Sequence, residues 1–480
     1  MKWALMIHVY LAVLLLLLVA VISTDYSDSY GPTNAEITRA LVFQKPSNGW
    51  GYQARTEKNL RILIIGGSNS LGNCYSNYFA SVMGNQSWHP SFNAHVDIFA
   101  IGGCTPRSYI GRRYEFENNK DRKSWPNVIL LEFSVNWLEF DTVASDMDAV
   151  IQTFKYRYKR ARLPYPDFVF LELFSVERLL TTIMGFPNEN KLKAITGNAE
   201  NRMSGLSRGC PACKEFRDVA SFYGYPTISY REMMFPSFVR YYLNTNGTFK
   251  DHRWKYTYEG THMTKEGGSL LVDTLMVPFF RDVMAPREEL PAEQRSMYGD
   301  VDIRMFPPSN RSFQILTLST LNHNEIFTSS SLVNSIRTPM EYYHVARQRA
   351  STGWYTGNEC YGSTNSSAML YVDFTVPSEC NSLGNCKVAV EFVHSWNTSH
   401  YGFASCDLLA SKKHKQPVML ENKFINITYD SDGAKMKHTG PMSTRFDSVM
   451  KQGNYTLTCR KLDSRMTCMS GLSVVASVML

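Results

Sequence analysis

The fold is decided by the stretch Arg61-Ile-Leu-Ile-Ile-Gly-Gly-Ser68, near the start of a chain of 480 residues. An unbroken run of β-branched and leucine side chains is typical of a parallel strand that is buried on both faces. The two glycines that follow at once predict a tight turn after this strand. Similar apolar runs recur at Val96 to Ile101, Val128 to Phe133, Phe168 to Leu173 and, in weaker form, Pro226 to Ser229.

Helix-like stretches alternate with these runs, at Leu71 to Met83, Thr142 to Arg160, Lys214 to Tyr223 and Lys265 to Met284. Strands that alternate with helices predict an α/β domain with a doubly wound (flavodoxin-like), mostly parallel sheet. Ligands bind at the carboxyl ends of the strands in such sheets. Functional residues are therefore expected near those ends.

The length of the chain suggests two or three domains. Residues 1–23 form an apolar targeting segment, and residues 24–57 are polar, which predicts a stem or a segment that wraps the next domain. Residues 58–285 form the α/β domain, and residues 286–312 form a proline-rich linker. In residues 313–480, short alternating segments separated by turn residues predict an antiparallel, β-sandwich-like domain stabilised by up to three disulfides.

The targeting segment carries Lys2 and then an almost unbroken apolar run from Trp3 to Ile22. Its length lies between that of a cleaved signal peptide and that of a single membrane span, so a signal peptide and a type II signal anchor both fit. Either one predicts that the rest of the chain lies in the lumen of the secretory pathway or outside the cell.

Sequons and cysteines favour the same oxidising compartment. Candidate glycosylation sites in Asn-x-Ser/Thr sequons are Asn85, Asn246, Asn310, Asn365, Asn397, Asn426 and Asn454. The ten cysteines are an even number and predict disulfides: Cys74, Cys104, Cys210, Cys213, Cys360, Cys380, Cys386, Cys406, Cys459 and Cys468. Cys210-Pro-Ala-Cys213 has the spacing of a redox motif, but no thioredoxin-like strand precedes it, so a structural bridge is favoured.

The composition is that of an ordinary globular protein, with 44% hydrophobic and 19% charged residues. It excludes a disordered chain and a polytopic membrane protein. The formal net charge is +7 and the basic residues are scattered, so a solvated surface is favoured over nucleic-acid binding. No spacing typical of a zinc site and no Gly-rich phosphate loop occurs in the sequence, so neither a metal nor a cofactor is expected.

Four short segments carry residues suited to acyl chemistry. Ser68 lies at the turn after the first strand, where small neighbours leave its hydroxyl and N–H groups exposed. Gly103 follows the second strand, where a backbone N–H can approach an oxyanion, and Asn136 offers an amide donor after the third. His262 offers a base, with Glu259 three residues before it. Each residue alone is as well explained by a turn, but the order and spacing of all four segments predict one site.

In these segments the chain resembles the SGNH (GDSL-like) hydrolases, over residues of about 60 to 282. Gly66-Gly67-Ser68-Asn69-Ser70 is similar to the first block of that family, with Gly67 in place of the usual Asp. Ile101-Gly102-Gly103-Cys104-Thr105 resembles the second block. Pro126 to Asn136 resembles the third, with Trp137 where Asp commonly follows, and Glu259 to His262 resembles the last, with Glu in place of Asp.

The resemblance implies a sheet of the SGNH hydrolase type, with Ser68 as nucleophile and His262 as base. It also implies that the N–H groups of Ser68 and Gly103 and the amide of Asn136 form an oxyanion hole. Glu259 would then orient His262.

Two further expectations follow from the same blocks. Glu259 has one methylene more than the usual Asp, which changes its reach to the histidine, so Asp251 is a rival for the orienting role. Cys74 and Cys104 flank the first two blocks, and a bridge between them is expected to stiffen the oxyanion loop.

Three functions fit these residues. A serine esterase that removes O-acyl groups, most simply acetyl, from a carbohydrate is favoured by the resemblance and by the lumenal address. A glycan O-acetyltransferase would use the same residues, and a signal anchor with a short stem would suit such an enzyme in the Golgi. The third is a glycoprotein binding module whose site has decayed.

The expected partner is an acylated glycan or another ester, beside the single membrane anchor that an uncleaved targeting segment would provide. The sequence carries no signal for the oligomeric state. In the C-terminal domain, four aromatic residues fit either a sugar-stacking face or an ordinary sandwich core, and the core is favoured: Trp354, Tyr355, Trp396 and Tyr401.

Overall fold

A computed structural model of the chain describes the following residues: 31–42, 50–71, 74–85, 88–100, 105–109, 116, 121, 124–135, 143–176, 179, 210, 213–245, 254–258, 260–285, 312–320, 333–337, 341–344, 359–363, 369–376, 378, 380–381, 384, 386–395, 403–410, 417–426, 439–462 and 467–478. The targeting segment 1–23, the linker up to residue 311 and the four aromatic residues considered for sugar stacking lie outside them. Among the described residues, no helix combines the length and the apolar character needed to cross a membrane.

The first domain is built on a parallel sheet that has five strands within the described residues. The strands are β1 (Asn59–Gly66), β2 (Asn93–Ala100), β3 (Val128–Glu132), β4 (Asp167–Glu172) and β5 (Thr227–Ser229). Their order across the sheet is β2-β1-β3-β4-β5, and all neighbours are parallel. This is the doubly wound, flavodoxin-like order, so the predicted α/β fold class is confirmed.

Helices cover both faces of this sheet. They are α1 (Asn34–Val42), α2 (Tyr52–Glu57), α3 (Ser76–Gly84), α4 (Pro106–Tyr109), α5 (Val143–Ala161), α6 (Cys213–Tyr223), α7 (Tyr230–Asn244), α8 (Lys265–Leu271) and α9 (Val277–Met284), with one π-helical stretch, Val272–Met276, joining the last two. Successive residues of a strand point to opposite faces. Ile62 and Ile64 accordingly pack with α3, α7 and α9, whereas Leu63 and Ile65 pack with α5 and α6. The unbroken apolar run of β1 therefore fills two cores at once.

The described part of residues 24–57 wraps around the sheet domain. Glu36 of α1 pairs with Arg240 of α7, with Nη2 of the arginine 2.9 Å from Oε2 of the glutamate. The Trp50 indole donates to the carbonyl oxygen of Phe168 at 3.0 Å. Arg55 of α2 donates to the carbonyl oxygen of Val283 at 2.8 Å. These contacts join the wrapping segment to the central sheet and to the last helix of the domain.

The C-terminal domain contains two antiparallel sheets, as predicted. Its strands are β8 (Ser312–Thr320), β9 (Val333–Arg337), β10 (Glu341–His344), β11 (Glu359–Ser363), β12 (Met369–Val376), β13 (Cys386–Ser395), β14 (Phe403–Ala410), β15 (Val418–Asn426), β16 (Thr439–Arg445), β17 (Gly453–Lys461) and β18 (Thr467–Val478). One sheet has the order β10-β11-β18-β13-β16, with β8 also paired to β18, and the other has the order β15-β14-β17-β12-β9. Strict alternation of buried and half-buried residues along β12 shows that this sheet packs on one face.

Three disulfides occur within the described residues: Cys210–Cys213, Cys380–Cys386 and Cys406–Cys459. The last one joins directly opposite residues of β14 and β17. Cys104 and the side chains of Cys360 and Cys468 lie outside the described residues.

The expected bridge between Cys74 and Cys104 is wrong, because Cys74 is a free cysteine. Cys74 packs against the core on the α3 and α9 side of the sheet. Phe99 and Tyr109, which lie on either side of the segment that contains Cys104, contribute to the core on the opposite side. The side chain of Cys74 therefore packs in a different core from those two aromatic residues.

Two of the candidate glycosylation sites, Asn85 and Asn454, are exposed at the surface. The backbone of Asn426 ends β15, but its side chain lies outside the described set. Asn246, Asn310, Asn365 and Asn397 also lie outside that set.

Candidate active site

Ser68 lies directly beyond the carboxyl end of β1, in the turn that leads towards α3. Residues Ser68–Ser70 form one turn of 3₁₀ helix, in which Leu71 N donates to Ser68 O at 3.2 Å. Gly66 is required before this turn, because a Cβ there would lie 2.3 Å from Ser70 Oγ and 2.9 Å from Glu132 Oε2. The glycine at position 66 therefore allows the turn Ser68–Ser70 to lie close to β3.

His262 reaches the same point from the far end of the domain. It lies in the two-residue strand β7 (His262–Met263), which pairs with β6 (Thr257–Tyr258) just before α8. Its Nε2 atom is 2.9 Å from Ser68 Oγ, although the two residues are 194 positions apart in the chain. The structure thus brings together the predicted nucleophile and the predicted base at hydrogen-bond distance.

The backbone after His262 is fixed by the start of α8. Thr264 caps this helix, since its Oγ1 accepts a hydrogen bond from Gly267 N at 3.1 Å. Thr264 N also donates to Tyr256 O at 3.1 Å. Gly268 permits α8 to touch the start of α3, because a Cβ at this position would lie only 2.1 Å from Cys74 O.

Asn69, which the sequence places in the first block without a role, holds the segment that carries His262. Its Oδ1 accepts a hydrogen bond from Met263 N at 2.8 Å, and its Nδ2 donates to Thr261 O at 3.3 Å. The residue is 1% exposed. Its partners are separated from it by almost 200 residues, so no local pattern in the sequence could reveal this contact.

Glu132, the last residue of β3, contacts the turn Ser68–Ser70. The sequence predicts no role for it. It is fully buried, and its Oε2 accepts hydrogen bonds from Gly67 N at 3.1 Å and from Ser70 Oγ at 2.9 Å. Burial raises the pKa of this carboxyl group to about 8, against the opposing effect of the two hydrogen bonds. The signal that could have revealed it is a single acidic residue inside the apolar stretch from Val128 to Phe133.

Two tyrosines complete the support of the turn. Tyr75 OH lies 2.7 Å from Ser70 Oγ, and burial holds the pKa of this tyrosine well above its ordinary value. Tyr109 OH donates to Gly66 O at 2.5 Å. The backbone on both sides of Ser68 is therefore tied to buried side chains, which leaves the serine hydroxyl to contact His262.

The remaining predicted site residues lie outside the described set: Gly103, Asn136, Glu259 and its rival Asp251. The described chain passes close to three of them along the sequence, at Thr105, Val135 and Gly260. Of the expected oxyanion donors, only the N–H group of Ser68 belongs to a described residue. Among the described residues, no group of three or more His, Cys, Asp or Glu side chains could hold a metal ion.

Neither models of known protein families nor the sequences of curated proteins match this chain. Solved structures do match it. The crystal structure of a two-domain esterase active on acetylated mannans aligns with a TM-score of 0.52 and 12% identity, over 91% of this chain and 97% of that chain. The same esterase co-crystallised with mannopentaose aligns with a TM-score of 0.50 and 11% identity, over 91% and 97% of the two chains.

A GDSL-like lipase from Bacteroides thetaiotaomicron aligns with 48% of this chain and 89% of its own, with a TM-score of 0.25 and 9% identity. The two matches to the mannan esterase extend over both the parallel-sheet domain and the antiparallel domain, so they concern the two-domain architecture as a whole. These two matches show that the chain shares the fold of that two-domain esterase, and the strand order and the position of Ser68 after β1 are those expected of an SGNH (GDSL-like) hydrolase fold.

Proposed function

We propose that the protein is a serine esterase that removes O-acetyl groups from a carbohydrate. The observation that carries this proposal is the 2.9 Å contact between Ser68 Oγ and His262 Nε2 at the carboxyl edge of the sheet. A hydroxyl in contact with an imidazole is the arrangement that nucleophilic acyl transfer requires. The likeness in fold to an esterase active on acetylated mannans, over both domains, supports the choice of an acetylated glycan as substrate.

In the proposed reaction, His262 Nε2 takes the proton of Ser68 as Ser68 Oγ attacks the carbonyl carbon of the acetyl ester. The oxyanion is stabilised by the N–H groups of Ser68 and Gly103 and by the side-chain amide of Asn136. The imidazolium then returns its proton to the sugar oxygen as the bond to the acetyl group breaks. Water, activated by His262, releases acetate from Ser68. Glu259 orients the imidazole during both steps.

We also propose that this enzyme acts in the secretory pathway or outside the cell. The apolar targeting segment, the exposed sequons at Asn85 and Asn454, and the three disulfides all support this address. An acetylated polysaccharide or a glycoprotein glycan is a substrate that such an enzyme would meet there.

The test is acetate release from acetylated glucomannan and from 4-nitrophenyl acetate by the purified protein. Ser68→Ala and His262→Ala are each expected to lower kcat by about four orders of magnitude or more, as for other members of such catalytic units. Chemically deacetylated glucomannan is the substrate control, and an unchanged far-ultraviolet circular dichroism spectrum is the folding control. Full turnover by Ser68→Ala would refute the proposal.

Adding an unacetylated mannan acceptor distinguishes hydrolysis, which yields free acetate, from transfer, which yields a newly acetylated acceptor.

A further inference from the structure

The side chain of Asn69 brackets His262 from both sides along the backbone. It accepts from the N–H group of the residue after the histidine and donates to the carbonyl group of the residue before it. These are opposite ends of one dipeptide unit centred on residue 262. The two hydrogen bonds together close a ring around that residue and restrict its backbone dihedral angles.

Only a carboxamide suits this position. The partner on one side is a donor, Met263 N–H, and the partner on the other side is an acceptor, Thr261 C=O, so the bracketing side chain must offer one group of each kind. Asp has no donor and would place a negative charge against the carbonyl oxygen. Because the site is buried, the carbonyl oxygen of Thr261 and the carboxylate oxygen facing it would both lack a donor, and water could not replace it.

Asn69 follows Ser68 directly in the chain. The short turn that carries the hydroxyl group therefore also binds the segment that carries the imidazole. The distance between Ser68 Oγ and His262 Nε2 is thereby set through one intervening residue rather than through the whole domain. Such geometry matters because misplacing a catalytic group by about 1 Å can cost about 100-fold in rate.

We propose that Asn69 is a positioning residue that holds His262 in line with Ser68 by its two hydrogen bonds to the backbone at residues 261 and 263. This inference rests on the proposed function and deepens it. Asn69 touches no reacting atom, and its effect on turnover is exerted entirely through His262.

The chain offers a matched control at the opposite edge of the sheet. Asn127 precedes β3, and its Oδ1 accepts from Arg61 N at 2.8 Å while its Nδ2 donates to Asn59 O at 2.7 Å. Like Asn69, it is 1% exposed and brackets a single residue between the two backbone groups that it binds. Asn127 lies at the amino ends of the strands, remote from Ser68. A substitution there removes an equivalent bracket without touching the histidine.

The first experiment compares Asn69→Ala and Asn69→Asp with Asn127→Ala and Asn127→Asp in the full chain, using 4-nitrophenyl acetate. All four variants are expected to lower the thermal midpoint to a similar extent. The two changes at Asn69 should also lower kcat by about 10- to 100-fold with little change in KM, whereas the two changes at Asn127 should leave kcat within about twofold of wild type. The Asp variants preserve side-chain volume and one of the two hydrogen bonds, so they provide the comparison if an Ala variant fails to fold.

The second experiment is a double-mutant cycle with His262→Ala. If Asn69 acts through the histidine, Asn69→Asp should cost no further rate once His262 is absent, so the two effects are strongly non-additive. A merely structural role would lower the residual rate of His262→Ala as well. Equal kcat for Asn69→Asp and Asn127→Asp, or additive effects in the cycle, would overturn the positioning role while leaving the proposed function intact. A wild-type protein without any esterase activity would overturn both.

Discussion

Two buried polar side chains, Asn69 and Glu132, support the contact between Ser68 and His262. Asn69 binds the backbone almost 200 residues away, on both sides of His262. Glu132 binds the turn that begins at Ser68, more than 60 residues before it in the chain. Both are buried polar groups, and their value depends on partners that only the folded sheet brings near.

The raised pKa of Glu132 makes the stability of the folded protein depend on pH. The folded protein retains a proton on this carboxyl group up to a pH of about 8, whereas the unfolded chain releases it near the ordinary value of 4.5. Stability from this group is therefore complete below about pH 4.5 and is lost as the pH rises towards 8. Glu132→Gln should remove this decline, a change on the order of a few kcal/mol between pH 5 and 9.

The measurement is the free energy of unfolding by urea, at several pH values between 5 and 9, for wild type and Glu132→Gln. Asp167 has a pKa raised to about 7 by burial and adds a decline of the same sign to both proteins. The difference between the two curves therefore isolates Glu132. Parallel curves would show that this carboxyl group does not hold its proton in the folded state.

The proximity of Ser68 to His262 could be predicted from the sequence, because the segments around them have recognisable spacing and composition. The contacts of Asn69 and Glu132 could not be predicted, because their partners lie far away in the chain and only the folded sheet brings them near.

At the scale of elements, the strands of the parallel sheet were predictable because each is a short apolar run that ends in a turn. The long helix α7 was not predicted. It begins directly after β5 and contains Pro236 in its interior, which argues against a helix by propensity, while buried residues such as Met233 and Phe238 secure it by packing. Tertiary contacts outweigh local preference there.

Gly268 brings α8 close to the backbone of Cys74, just before α3. Gly268→Ala would place a Cβ 2.1 Å from Cys74 O and 2.7 Å from the carbonyl carbon of the same residue, both of them backbone atoms. The helix must therefore move, at a cost of about 1–3 kcal/mol, and the His262 segment moves with it. We expect a lower thermal midpoint and a lower kcat.

Gly84→Ala is the matched control for that substitution. Gly84 is the last residue of α3, and a Cβ there would meet nothing within 4 Å. The thermal midpoint of Gly84→Ala should equal or exceed that of wild type, because alanine favours helix more than glycine, and its kcat should be unchanged. A Gly268→Ala protein indistinguishable from Gly84→Ala in both measurements would contradict the close approach of α8 to Cys74.

The whole molecule combines a parallel sheet that collects distant segments with an antiparallel domain built from short strands. Sequence patterns predicted both classes of sheet, because alternation of strands with helices differs visibly from alternation of apolar with polar residues. The pairing within the second domain was not predictable. Its last strand, β18, lies between β11 and β13 and also pairs with β8, and such long-range pairing leaves no local trace in the sequence. The bridge between Cys74 and Cys104 was predicted from their positions near the first two blocks. Those positions do not show which core the Cys74 side chain packs against.

Esterase activity of this protein requires that His262 activate the hydroxyl group of Ser68. A fluorophosphonate tests it directly, because an activated serine oxygen displaces fluoride from phosphorus and forms a stable phosphonyl ester. Peptide mass spectrometry of the treated protein is predicted to find the adduct on Ser68 in wild type, no adduct in Ser68→Ala, and much slower labelling in His262→Ala. Labelling of Ser68 that proceeds equally fast without His262, or a wild-type protein whose Ser68 stays unlabelled, would contradict activation of Ser68 by His262.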